Sequence, residues 1–199
     1  MIAVITGDII NSREGEVEKW LTPLKDILNY YGEEPKDWEI YRGDSFQLSI
    51  APEKAMLAAI HIKSAIKHIK LQDVRMAIGI GEEKYSTSKI TESNGSAYIR
   101  SGDCFESLKK QTLAIKTNNK NLDQSINIML SLSLLTANNW SSTVAKVIKT
   151  AIENSEKNQE NLAQLLHKSQ SSVSEALKRG GFEEIMNMND FYKTQISKL

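Results

Sequence analysis

The sequence predicts an α+β fold in two parts: strands and helices over residues 1–117, then helices alone over 118–199. Three observations predict it. Short runs rich in β-branched and aromatic residues fall only in the first part, as Ile2–Ala3–Val4–Ile5, Trp38–Glu39–Ile40–Tyr41, Phe46–Gln47–Leu48–Ser49–Ile50 and Val74–Arg75–Met76–Ala77–Ile78. Stretches with apolar residues at helical spacing separate them. Residues 117–122 are polar and aperiodic, which marks a linker, and the pattern after them is helical throughout.

In order, residues 1–6 read as a buried strand. A helix over about 14–31 carries Val17, Trp20, Leu21, Leu24, Ile27 and Leu28 on one face, with Pro23 predicting a kink or a late start. Strands 38–41 and 45–50 flank Arg42–Gly43–Asp44 as a hairpin. A helix over about 53–70 starts at Pro52 and has Met56, Ala59, Ile60, Ile66 and Ile69 on its apolar side. Then follow a strand over 74–80, a helix over about 95–110 and a last strand at 113–116. The βαββαβ order, plus αβ, is that of a ferredoxin-like palm, whose first strand lies beside the central hairpin. Helices are predicted at about 122–137, 141–154, 159–167, 170–179 and 183–197.

Composition narrows the classes. Lys plus Arg number 25 and Asp plus Glu 25, giving a net charge of zero. Residues 1–117 carry 16 basic and 17 acidic side chains, and residues 118–199 carry 9 and 8, so neither part has the basic excess of a tight nucleic-acid binder. No apolar run approaches the roughly 20 residues of a membrane span, so no membrane partner is expected. The first residues enter a strand with no signal-peptide pattern. Cys104, the lone cysteine, fits a reducing cytoplasm and a helix-packing role. His61, His68 and His167 show no metal-ligand spacing. His61 and His68, seven apart, are expected to share a solvated helix face.

Two patterns carry chemistry. The first is Gln159 to Phe182, QENLAQLLHKSQSSVSEALKRGGF. Ala163 is small where two helices would touch, Leu162, Leu165 and Leu166 form an apolar face, Lys168–Ser169 a short turn, and Val173 lies ten positions past the alanine. This is helix-turn-helix spacing, with His167 where glycine is usual. Gln170, Ser171, Ser172, Ser174, Lys178 and Arg179 would then face a double-stranded DNA groove. A plain αα-hairpin is the competing reading.

The second is a pair of carboxylates, Asp8 after the first apolar run and Asp44 in the hairpin turn. Carboxylates at the ends of neighbouring strands can hold Mg²⁺ or Mn²⁺ over a nucleotide triphosphate. Gly7 would admit a phosphate to the backbone, with the N–H groups of Ile9, Ile10 and Asn11 around it; a turn needing glycine is the alternative. Ser12 and Arg13 could clamp a phosphate, or Ser12 could cap the following helix. Arg42, Gly43 and Arg100 complete the candidate nucleotide-binding set.

These motifs resemble those of class III nucleotide cyclase domains over roughly residues 1–110. T-G-D-I at 6–9 is similar to their first metal motif, R-G-D-S-F at 42–46 to the second, and R-M-A-I-G-I-G at 75–81 to a core strand. The resemblance implies Asp8 and Asp44 as the metal pair, and a homodimer if the site is live. It also exposes departures: the purine-selecting lysine position is Ile40, and the catalytic asparagine and arginine positions are Ile99 and Asp103. A cyclase transition state needs cationic donors around its phosphate; Arg13, Arg42, Arg75 and Arg100 are the available substitutes. The whole chain resembles SatD family proteins, bacterial and cytoplasmic, through ITGDIINSR (5–13), YRGDSFQL (41–48) and the segment 159–182. Three functions follow as expectations: a nucleotide-sensing regulator with a DNA-binding helix-turn-helix, an active Mg²⁺-dependent cyclase or nucleotidyltransferase, and a non-catalytic interaction module.

Overall fold

The computed structural model describes residues 1–199 and is mixed α+β. Seven strands and eight α-helices follow one another as β1 (Ile2–Ile10), α1 (Val17–Tyr31), β2 (Trp38–Tyr41), β3 (Ser45–Ile50), α2 (Ala55–Lys67), β4 (Asp73–Gly81), β5 (Glu83–Tyr85), β6 (Asn94–Gly95), α3 (Ser96–Ser107), β7 (Leu113–Lys116), α4 (Lys120–Ala137), α5 (Ser142–Glu153), α6 (Gln159–Leu166), α7 (Gln170–Gly180) and α8 (Phe182–Ile196). The main sheet has the order β2-β3-β1-β4-β7; β1 pairs antiparallel with β3 and β4, and β7 is parallel to β4. β5 and β6 form a small separate ribbon, too short and too polar to stand out in the sequence.

Alternation along β1 sorts the sheet into two faces. Ala3, Ile5 and Ile9 join Phe46, Leu48, Met76, Ile78 and Ile115 in one large core with α1 and α2. Thr6 and Asp8 point to the other face, where α3 runs back along β4: Thr6 Oγ1 and Ser101 Oγ are 2.9 Å apart, and Cys104 packs with Ala77 and Ala114. Gly79 and Gly81 allow this approach, since a Cβ on Gly79 would lie 2.2 Å from the Ser101 nitrogen.

The large core continues into the second part, taking in Ile126, Leu130, Val147, Ile148, Val173, Ile185 and Tyr192. α2 is the shared element. It lies between the sheet and α5, and nearly all of it from Ala55 to Ile66 is buried. The expectation of a solvated face for His61 and His68 is therefore corrected: His61 is 0% exposed and bonded through Nδ1 to the Tyr31 hydroxyl, because α1 and α5 close over that side of α2. His68 Nδ1 faces the carbonyl oxygen of Ser142 at 3.1 Å. α1 starts late, at Val17, and stays helical through Pro23.

Candidate functional site

β1 is longer than its first apolar run. It extends through Ile10, so Gly7 and Asp8 lie inside the strand and not in a loop after it. The physical reason is that Ile9 resumes the core face while Asp8 takes the partly open face, opposite Ser45 of β3 and Arg75 of β4. This corrects the phosphate role expected of Gly7. Gly7 is buried, and a Cβ there would meet the Phe46 ring at 2.6 Å and Met76 at 2.9 Å, so its hydrogen side chain serves packing. The Ile9 N–H is likewise committed, donating to the Asp44 carbonyl at 3.2 Å.

That bond places the two aspartates on adjoining backbone. Their carboxylates have different partners. Asp8 accepts from Arg75 Nη2 at 2.6 Å and from Nε at 3.3 Å, and the same guanidinium lies 4.8 Å from the centroid of the Phe105 ring on α3. Asp44 accepts from the Ser12 hydroxyl at 2.5 Å. The reverse turn that carries Asp44 is made by Arg42 and Gly43, both at positive φ (54° and 93°). Ser12 caps no helix: the N-cap of α1 is Glu16, and Ser12 instead ties the end of β1 to the hairpin.

Two arginines adjoin the Ser12–Asp44 bond along the chain. Arg13 follows Ser12 and Arg42 precedes Asp44 by two residues; both are exposed and neither forms an ion pair. Arg100 does not belong with them. Its Nη1 donates to the Ile80 carbonyl at 2.6 Å, five residues along β4 from Arg75, or roughly 17 Å of strand. Of the positions left by the cyclase comparison, Ile40 packs against the core, Ile99 is exposed and Asp103 pairs with Lys116 at 2.9 Å.

Magnesium prefers oxygen donors, usually one or two carboxylates with water and phosphate oxygens. Asp44 Oδ1 has no partner, whereas both oxygens of Asp8 accept from Arg75. The pair fits a divalent cation only with Arg75 turned away from Asp8, and no group of three or more His, Cys, Asp or Glu gathers anywhere in the fold.

The second candidate surface is on α6 and α7. His167 takes the left-handed conformation (φ 51°, ψ 46°) that glycine would otherwise supply, and the Lys168 N–H closes the turn on the Ala163 carbonyl at 2.9 Å. Ser169 caps α7 by accepting from the Ser172 N–H. Leu162, Ala163, Val173, Ala176 and Leu177 are buried. Leu165, expected inward, is 50% exposed. Gln170, Ser171, Ser172, Ser174, Lys178 and Arg179 are all exposed. Gly180 lets α7 press against α5, where a Cβ would lie 2.5 Å from Ile148, and Trp140 Nε1 donates to its carbonyl at 2.9 Å.

A cavity of about 1180 Å³ lies elsewhere, with neither Asp8 nor Asp44 in its walls. It lies between β3–α2 and the C-terminal helices, walled by Tyr31, Leu57, Ile152, Leu177, Phe182 and Met186. Its scattered apolar lining residues give no local motif that the sequence could have revealed.

A mixed five-stranded sheet with a paired carboxylate–arginine face, continuous with an all-α bundle, defines the class. The sequence profile of the SatD family matches residues 1–193, and the chain belongs to that family. No helix is long and apolar enough to cross a membrane. No curated protein matches the chain.

Proposed function

We propose that this protein is a nucleotide-responsive DNA-binding regulator, built from a ferredoxin-like palm and a helix-turn-helix. The observation that carries this reading is the packing path α2–α5–α7. It joins the sheet bearing Asp8, Asp44 and Arg75 to the exposed face of α7 through buried side chains, with Ile148 and Val144 of α5 against Gly180. A ligand that binds one arrangement of the sheet end better than another then biases the placement of α7.

On the sheet, Arg13 and Arg42 offer charge-assisted donors to phosphates. Asp44 and Asp8 would hold magnesium or manganese, whose charge offsets that of the phosphate oxygens. Binding is favoured over turnover because Ile40, Ile99 and Asp103 supply no cation and Arg100 is engaged at the far end of β4. On α7, the polar residues Gln170, Ser171, Ser172 and Ser174 suit base edges, and Lys178 and Arg179 suit phosphates.

The test is fluorescence anisotropy of a labelled random duplex at low salt, titrated with the protein with and without Mg²⁺ and each nucleoside triphosphate. The expected result is binding whose affinity changes with one nucleotide. Absence of a duplex signal in every condition overturns the DNA part, and a nucleotide-independent affinity overturns the coupling. Product formation from any triphosphate would instead favour the enzyme reading.

A further inference from the structure

The cavity between the sheet and the C-terminal helices has no role in the nucleotide reading. At about 1180 Å³ it is far larger than the water-sized voids that close packing leaves. Pockets for small organic molecules are typically about 300–1,000 Å³, mostly apolar, with a few polar groups. The walls here follow that pattern. Leu57 of α2, Ile152 of α5, Leu162 of α6, Leu177 of α7, and Phe182 and Met186 of α8 supply apolar surface.

Much of the polar lining is already engaged. The Tyr31 hydroxyl bonds His61, Asn154 Nδ2 donates to the Thr150 carbonyl, the Asn158 side chain accepts from the Asn161 N–H, and Asp37 accepts from the Glu33 N–H. The charged side chains are Lys54, Lys157 and Lys193 against Asp37 and Glu53, so cations are in excess. Lys157 and Lys193 pair only with Glu156 and Asp190, which are 68% and 72% exposed, and such surface pairs are weak. Lys54 and Lys193 come from adjoining backbone, because the Tyr192 hydroxyl donates to the Pro52 carbonyl at 2.5 Å. On the same face of α8, between Met186 and Lys193, Asn189 is 2% exposed and its Oδ1 has no hydrogen-bond partner. Buried amides left in that state are uncommon.

We propose that this cavity binds one small organic anion with an apolar body, its head group held by Lys54 and Lys193. Apolar walls take the body, and lysines keep their stems on such walls while their ammonium groups stay at the water boundary, where a carboxylate or sulfonate would sit. A polyphosphate does not suit the site, because its several charges would face apolar surface. Both a long-chain acid and an aromatic acid have the required chemistry. Leu162 and Leu177 also belong to the core of the α6–α7 hairpin, so an occupant touches both helices directly. Only an effect on DNA binding would rest on the regulator reading; the ligand site does not.

Fluorescence titration of the full chain, without nucleotide, Mg²⁺ or DNA, tests the proposal. The probes are cis-parinarate, a long-chain acid, and anilinonaphthalene sulfonate, an aromatic one. Saturable one-to-one binding of either is expected, and the tighter probe identifies the body. Displacement then compares a carboxylate with its matched alcohol: dodecanoate with dodecanol, or naphthoate with naphthylmethanol. The carboxylate should compete about tenfold better. The double variant Lys54→Gln/Lys193→Gln, at two exposed positions, should erase that preference with an unchanged circular-dichroism melt. Leu57→Trp should fill the cavity and abolish probe binding. Absence of saturable binding by both probes overturns the proposal. So does an alcohol that competes as well as its carboxylate, or probe binding that survives both variants unchanged.

Discussion

Arg75 grips Asp8 with two nitrogens, at 2.6 and 3.3 Å, from the neighbouring strand. The pairing follows from register, since Asp8 and Arg75 are direct partners across β1 and β4, and Phe105 lies against the guanidinium from α3. Arg75 thus holds the carboxylate that a divalent cation would need. Arg75→Ala should reduce stability by only about 1 kcal/mol, as the pair is partly exposed. The informative readout is divalent sensitivity: in thermal shift without nucleotide, Mg²⁺ or Mn²⁺ should stabilise Arg75→Ala more than wild type. Equal responses would mean that Asp8 takes no part in cation binding.

Arg13 and Arg42 have no ion-pair partners, so removing them should cost ligand affinity and little stability. Each single alanine substitution is expected to weaken nucleotide binding roughly tenfold, about 1.4 kcal/mol. Ser12→Ala, which unties Asp44, should weaken binding while leaving both arginines present. Isothermal titration with the nucleotide that gives the largest thermal shift checks all three; unchanged affinity in the double arginine variant would move the site elsewhere.

Gly7→Ala should destabilise the fold by about 1–3 kcal/mol, because its Cβ would strike the Phe46 ring and Met76 inside a packed core. Urea denaturation measures this. A variant as stable as wild type would show that Phe46 has room to move, reopening a ligand role for that glycine.

His61 is buried between α1, α2 and α5, and burial pushes its pKa down to about 4 from the ordinary 6.5, against the opposing charge of Glu153. Between those values the unfolded chain binds a proton that the folded chain does not, so stability falls as pH falls from 6.5 toward 4. The His61 contribution is complete above pH 6.5 and amounts to at most about 3 kcal/mol. Urea titrations at pH 7, 5.5 and 4.5 should show a shallower acid loss for His61→Gln than for wild type. Parallel losses would exclude His61 as the titrating group.

On α7, charge and hydrogen-bonding residues should separate in their effects. Lys178→Ala and Arg179→Ala should weaken duplex binding across sequences and each reduce the salt slope by about 1, whereas Gln170→Ala and Ser171→Ala should alter sequence preference with the slope unchanged. Anisotropy across a salt series distinguishes the two patterns. Substitutions at all four positions without effect would leave α6–α7 as a packing hairpin.

Much of the fold was legible because its signals are local. Strands at 38–41, 45–50 and 113–116 match the predicted limits, since apolar alternation there ends at turn-forming residues. The same holds for α7, whose start is set by a cap at Ser169. The candidate site was legible only in part. Asp8 and Asp44 were visible as neighbours through the topology, but the arginine that pairs with Asp8 was only one of four candidates, because cross-strand register is a long-range property. Arg100 looked equally suitable from its position, and α3 carries it to the opposite end of the sheet.

By itself the sequence determined the order of elements, the core-facing residues of most of them and the turn chemistry of Arg42–Gly43 and His167–Lys168–Ser169, all governed by interactions within a few residues. Tertiary structure alone decided which groups are used up and which remain free. It buried His61 by closing α1 and α5 over α2, spent Gly7 on Phe46, gave Asp8 to Arg75, and left Ile128, Leu132 and Leu135 of α4 exposed. Those outcomes depend on how faces of distant elements meet, and periodicity identifies a face without naming what will cover it.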